Sequence, residues 1–92
     1  PALLGAVSPT GFVTTAKTEH ATSVRLKVGT NAALTTGVQW STPTTPDADG
    51  WSRLTAPTLA PDTDYWWQVE ATDGAAATYM IGTVQQARTL PT

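Results

Sequence analysis

The sequence predicts an all-β sandwich of about seven antiparallel strands, and three observations carry that prediction. Short runs of alternating apolar and polar residues are separated by turn signals, while no long segment repeats apolar residues at i, i+3, i+4 and i+7. Thr and Val dominate these runs, and both favour the pleated strand over the helix. A third signal is the tight corner Leu59-Ala60-Pro61-Asp62-Thr63-Asp64-Tyr65, which runs straight into Trp66-Trp67-Gln68-Val69-Glu70-Ala71. Its Pro-Asp-Thr-Asp run fixes φ and offers side-chain acceptors, which stops one strand, and the aromatic residues beyond start another.

The elements follow in order. Gly5-Ala6-Val7-Ser8 is a first strand, closed by Pro9-Thr10-Gly11, and proline there fits an edge or a strand end. Residues 12–17 form the next, with Phe12, Thr14 and Ala16 inward and Val13, Thr15 and Lys17 on the other face. After a turn at 18–21, residues 22–29 give the cleanest alternation. Val24, Leu26 and Val28 point inward and Ser23, Arg25 and Lys27 to water; a one-residue slip would bury two cations, so the register is well determined. Residues 30–35 read as a connection with one short helical turn, and 37–41 as a strand with Val38 and Trp40 on one face.

The stretch 42–50 holds Pro43, Pro46 and Gly50, which exclude a helix or a central strand; it is the longest loop and the expected mobile one. Residues 51–55 are a strand leading to the corner. Beyond it Tyr65, Trp67, Val69 and Ala71 share the inward face, which turns Trp66, Gln68 and Glu70 outward. Thr72-Asp73-Gly74 is a hairpin signal because Asp-Gly tolerates positive φ. Its partner strand covers about 78–84, with Tyr79, Ile81 and Thr83 on one side and Gly82 marking a bulge or a kink, and 88–92 close the domain.

The chain's 92 residues make one domain, 1–92, with one core. Folding at that size buries roughly 60–65% of the extended chain's surface. With no cysteine, disulfides, thiolate metal sites and a cysteine nucleophile are excluded, so stability rests on packing of the four Trp, two Tyr and Phe12. A formal net charge of −2 with no Lys/Arg cluster argues against nucleic-acid or anionic-membrane partners. No apolar run approaches the roughly 18–20 residues that span a bilayer, and Pro1 to Ala6 lack the basic stretch of a signal peptide.

Nothing in the sequence assembles into catalytic chemistry. His20, the only histidine, sits beside Glu19 in a turn with no nucleophile or orienting group assignable to it. Asp47-Ala48-Asp49-Gly50 resembles the start of a calcium loop, yet the further oxygen ligands and the closing bidentate Glu are missing, so an Asp-Gly turn is the better reading. Asp62 and Asp64 are expected to accept backbone N–H groups in Asx-type turns. No catalytic, cofactor or metal residue is therefore assigned. Trp66 is the first candidate contact residue, because an outward Trp on a strand is a natural anchor for a partner. The competing reading is that Arg25, Lys27 or a neighbouring loop covers its face. Gln68 and Trp40 join Trp66 as candidates, and Pro43 and Pro46 represent the 42–50 loop.

Leu59, Pro61, Thr63 and Tyr65, opening a strand with inward Trp67 and Val69, resemble the tyrosine corner of fibronectin type III domains, part of the immunoglobulin-like group of sandwiches. In that corner the tyrosine hydroxyl bonds to backbone a few residues upstream. The order of Gly5-Ala6-Val7-Ser8-Pro9-Thr10, Val24-Arg25-Leu26, the corner and Arg88-Thr89-Leu90-Pro91 is similar to that of fibronectin-like modules in two settings. One is bacteriophage virion proteins; the other is the module preceding the catalytic domain of alkaline-phosphatase-D-type metallophosphoesterases. The family's usual second-strand Trp is replaced here by the Phe12 strand, its role passing to Trp51 or Trp67, and no Arg-Gly-Asp supports integrin adhesion.

The resemblance implies a non-enzymatic structural or binding module without a cofactor. Its first version is a surface-exposed phage protein, a capsid decoration or tail appendage domain on the virion surface, with a capsid or tail protein as partner. The alternative is an extracellular accessory domain of a secreted metallophosphoesterase or carbohydrate-active enzyme, held against a neighbouring domain of the same chain or against carbohydrate. Such analogy sets the scaffold and leaves the activity to the site.

Overall fold

The computed structural model describes the backbone of residues 2–92, and the described part is entirely β and turn. Seven strands form in chain order: β1 Ala2–Ser8, β2 Gly11–Lys17, β3 Ala21–Gly29, β4 Gln39–Trp40, β5 Trp51–Thr55, β6 Asp64–Asp73 and β7 Thr78–Arg88. Thr44 adds an isolated antiparallel bridge to Val24, which raises the number of extended segments to eight, one more than expected. They form two antiparallel sheets, β1-β2-β5 and β4-β3-β6-β7, stacked as a sandwich.

The core lies between the sheets and is the set of alternating positions that the sequence turns inward. Phe12, Thr14 and Ala16 from β2 meet Val24, Leu26 and Val28 from β3 and Tyr65, Trp67, Val69 and Ala71 from β6, all buried. Trp67 is the central plug, its ring 6.1 Å from that of Phe12. It takes the Trp role in the core, whereas Trp51 lies half-buried on β5 with Lys17 Nζ 5.7 Å from its ring.

Side-chain hydroxyls close the turn that leads into β6. The Tyr65 hydroxyl accepts the Ala60 N–H at 3.0 Å, five residues upstream. Thr89 closes the same corner from the other side. Its hydroxyl, in a residue only 1% exposed, donates to the Ala60 carbonyl at 2.6 Å and accepts the Thr63 N–H at 3.0 Å. Tyr65→Phe keeps the ring and removes only the hydroxyl, stranding the Ala60 N–H. A loss of about 1–3 kcal/mol in chemical denaturation is expected; an unchanged midpoint would show that the bond contributes nothing.

Residues 30–35 hold one hydrogen-bonded turn, Leu34 N–H to the Asn31 carbonyl at 3.1 Å, that does not go on as helix: Asn31 Oδ1 accepts the next N–H groups, of Thr35 and Thr36. Several local expectations are corrected. The 37–41 strand shrinks to Gln39–Trp40, and Val38 lies outside it. The 42–50 loop is tied down rather than loose. Thr44 and Val24 exchange both backbone bonds at 2.8 Å, Ser41 N–H donates to the Leu26 carbonyl, and Thr18 N–H donates to the Gly50 carbonyl. At the β6–β7 hairpin the residue with positive φ is Ala76 rather than Gly74, because Asp73 Oδ1 accepts from Ala75 and Ala77 and spreads the turn over four residues, 74–77. The Gly82 bulge does form, with φ +65° and a break in the β6–β7 register.

Candidate functional site

The alternation that buries Tyr65, Trp67 and Val69 presents the opposite face of the four-stranded sheet to solvent. Pairing across the strands sets that face out in rows. Trp40, Lys27 and Gln68 form one row, because Lys27 pairs with both the others. Arg25, Glu70 and Met80 form a second, and Gly29, Trp66 and Gln86 a third. Three of the five candidate contact residues, Trp40, Trp66 and Gln68, therefore share one surface, and all three are half-buried.

The two tryptophans have different surroundings. Arg25 and Lys27 cover Trp40 rather than Trp66: the Arg25 guanidinium carbon lies 3.7 Å from the Trp40 ring centre and Lys27 Nζ 5.5 Å from it. Arg25 is also held at its edge, Nε donating to Glu70 Oε1 at 2.9 Å. The Arg25 side chain is 38% exposed, and that of Glu70 14%. Trp66 stands opposite Gly29, which has no side chain to flank it, and the 30–37 loop fills the space instead. A Cβ on Gly29 would sit 3.1 Å from Leu34 Cδ2, and Leu34 is buried. Gln68 is anchored at the bulge, its Nε2 donating to the Gly82 carbonyl at 2.7 Å.

Pro43 and Pro46 lie in the loop that follows β4 along the edge of β3, beyond the Arg25 row. The Thr44 bridge ties their loop to the Val24 end of β3, whereas Trp66 pairs with Gly29 at the other end. Pro46 lines an open depression of about 420 Å³ with Glu19, His20, Asp47 and Asp49. Asp47 Oδ1 there accepts the N–H groups of Asp49 and Trp51, so this carboxylate shapes a turn. Among the described residues no three His, Asp or Glu side chains are grouped to hold a metal ion. His20 is exposed, with φ +63°.

Asp62 and Asp64 behave differently from the expected Asx turns. Both carboxylates bind Arg88, at 2.9 Å and 3.0 Å, because the β6–β7 register sets Asp64 opposite it. Hydrogen bonds donated to Asp64 and then Asp62 stabilise the guanidinium and move its pKa up from the ordinary arginine value.

Sequence reasoning missed Arg25 and Glu70 as members of the site, and Thr89 as a clasp of the corner. Only the outward phase of Arg25 and Glu70 was readable; that they are direct cross-strand partners depends on the pairing of strands 45 positions apart. Neither protein-family models nor curated proteins give a match to this chain.

Proposed function

We propose that this chain is a non-enzymatic binding module whose contact surface is the outward face of the β4-β3-β6-β7 sheet. One observation carries the reading: Trp40 and Trp66 stand on the same open face, amid donors and acceptors from Arg25, Lys27, Gln68 and Glu70. Aromatic anchors framed by polar groups are the composition of protein contact sites. Arg25 is held in place by Glu70 and Gln68 by the bulge, so these two side chains have few rotamers left to freeze on binding.

The scaffold is of the fibronectin type III-like kind, a reading supported by the Tyr65 hydroxyl's bond to Ala60 within a three-on-four sandwich. Its sequence likeness to phage virion modules favours a capsid decoration or tail appendage domain on the virion surface, with a capsid or tail protein as the partner. Mixing the purified domain with undecorated capsids is expected to give stoichiometric co-sedimentation. Trp66→Ala is expected to abolish it while costing about 1 kcal/mol or less of stability, and Gln68→Ala to weaken it in a fold that stays unperturbed. Full binding by both variants would remove this face from the contact; binding to insoluble polysaccharide in place of capsids would favour the accessory-domain alternative.

A further inference from the structure

Arg25 is fixed in two directions at once. Its guanidinium carbon lies over the Trp40 ring and its Nε is taken by Glu70, while among the described residues neither terminal nitrogen has a hydrogen-bond partner. Lys27, next on the same face and near the same ring, has no acidic partner within 4 Å among the described residues. A guanidinium held by a ring below and a carboxylate at one edge presents its other edge as a rigid pair of donors. That fork matches the two oxygens of a carboxylate.

We propose that the outward face recognises an acidic segment of a partner protein, one carboxylate being gripped by the terminal nitrogens of Arg25 and the ammonium of Lys27 beside Trp40. The inference rests on reading this face as the contact surface, and adds the chemistry of what it contacts. Charge selects the occupant. Around Trp40, Arg25 and Lys27 against Glu70 leave a local surplus of one positive charge on a chain of net −2, while at the Trp66 end of the face Arg88 is taken up by Asp62 and Asp64. That surplus suits an isolated carboxylate and is too small to hold a polyanion such as a nucleic acid or an anionic membrane. The neighbouring surface of Trp40, Trp66 and Met80, the last 39% exposed, accepts the carbon stems and apolar neighbours of an acidic side chain.

The test uses the whole chain and a short labelled peptide alternating Glu and Leu, with its Lys-for-Glu counterpart as control. Saturable binding of the Glu peptide alone is expected, weakening with added salt. Arg25→Lys keeps the charge and removes the fork, and is expected to weaken binding about tenfold; Lys27→Gln is expected to weaken it by a similar factor. Equal binding of both peptides, no saturable binding, or wild-type affinity in Arg25→Lys would overturn the proposal. So would salt-sensitive self-association without peptide, which would assign the acidic group to a second copy, whose Glu19, Asp47 and Asp49 lie together at one end. Capsid binding lost in Trp66→Ala but unchanged in Arg25→Lys and Lys27→Gln would keep the contact face and reject the acidic partner.

Discussion

Trp67→Ala is expected to remove about 3–5 kcal/mol of stability, a large fraction of the roughly 5–15 kcal/mol that holds a small domain folded. The side chain is 2% exposed and packs on Phe12 between the sheets, so its loss opens a cavity that neither sheet can close by shifting one strand. A fall of tens of degrees in the melting midpoint would accompany it at this chain length. Trp67→Phe separates two contributions. The indole Nε1 is buried without a partner, and an unmet buried donor costs about 1–3 kcal/mol. Phenylalanine loses some volume but also removes that unpaired N–H, so it should cost less than half as much as alanine. Equal losses for the two variants would mean that packing by the six-membered ring contributes little. The adjacent Trp66→Ala is expected to behave oppositely, with a small effect on melting and a large one on binding.

Gly50→Ala is expected to cost about 2–4 kcal/mol, from two effects at one position. Its φ of +87° lies where an L side chain is strained. A Cβ there would also collide with the Thr18 carbonyl oxygen, a backbone atom with little room to yield. The collision falls at a junction: Thr18 N–H donates to the Gly50 carbonyl at 2.8 Å, continuing the β2–β5 ladder past Lys17 and Trp51 and holding the 42–50 loop to the sandwich. Gly74→Ala is the control, because nothing lies within 4 Å of its Cβ position and its φ is not positive. It should change stability by about 0.5 kcal/mol or less. Similar midpoints for the two variants in urea would show that the Thr18–Gly50 junction is dispensable.

What the sequence made readable follows from a period of two. On β6, and on β3 except at Gly29, the buried residues are the ones that alternation assigns, and the same phase puts Trp66, Gln68 and Glu70 outside. The Tyr65 bond was also readable, because it is local: the hydroxyl and the Ala60 N–H that donates to it lie five residues apart. Contacts made across strands were not. Whether Arg25 stacks on Trp40 or Trp66 depends on which strand edge β4 occupies, and a two-residue strand carries almost no pattern of its own. Asp62 and Asp64 were expected to bond locally, yet Arg88 reaches them through the β6–β7 register. The 42–50 loop looked free because its prolines exclude a regular strand, but one residue between them, Thr44, suffices for a bridge. Ala76 was missed because Asp73 satisfies two N–H groups and moves the left-handed residue two positions beyond the glycine.

The four tryptophans divide by environment into core, opposite sheet and proposed contact face, which makes their indole N–H resonances a direct reporter. In a titration of the labelled domain with its co-sedimenting partner, the Trp40 and Trp66 indole signals are predicted to shift or broaden first. Those of Trp67, in the core, and Trp51, on β5 of the other sheet, are predicted to stay in place. A response from Trp51 with Trp40 and Trp66 unmoved would place the contact on the opposite sheet and contradict the account.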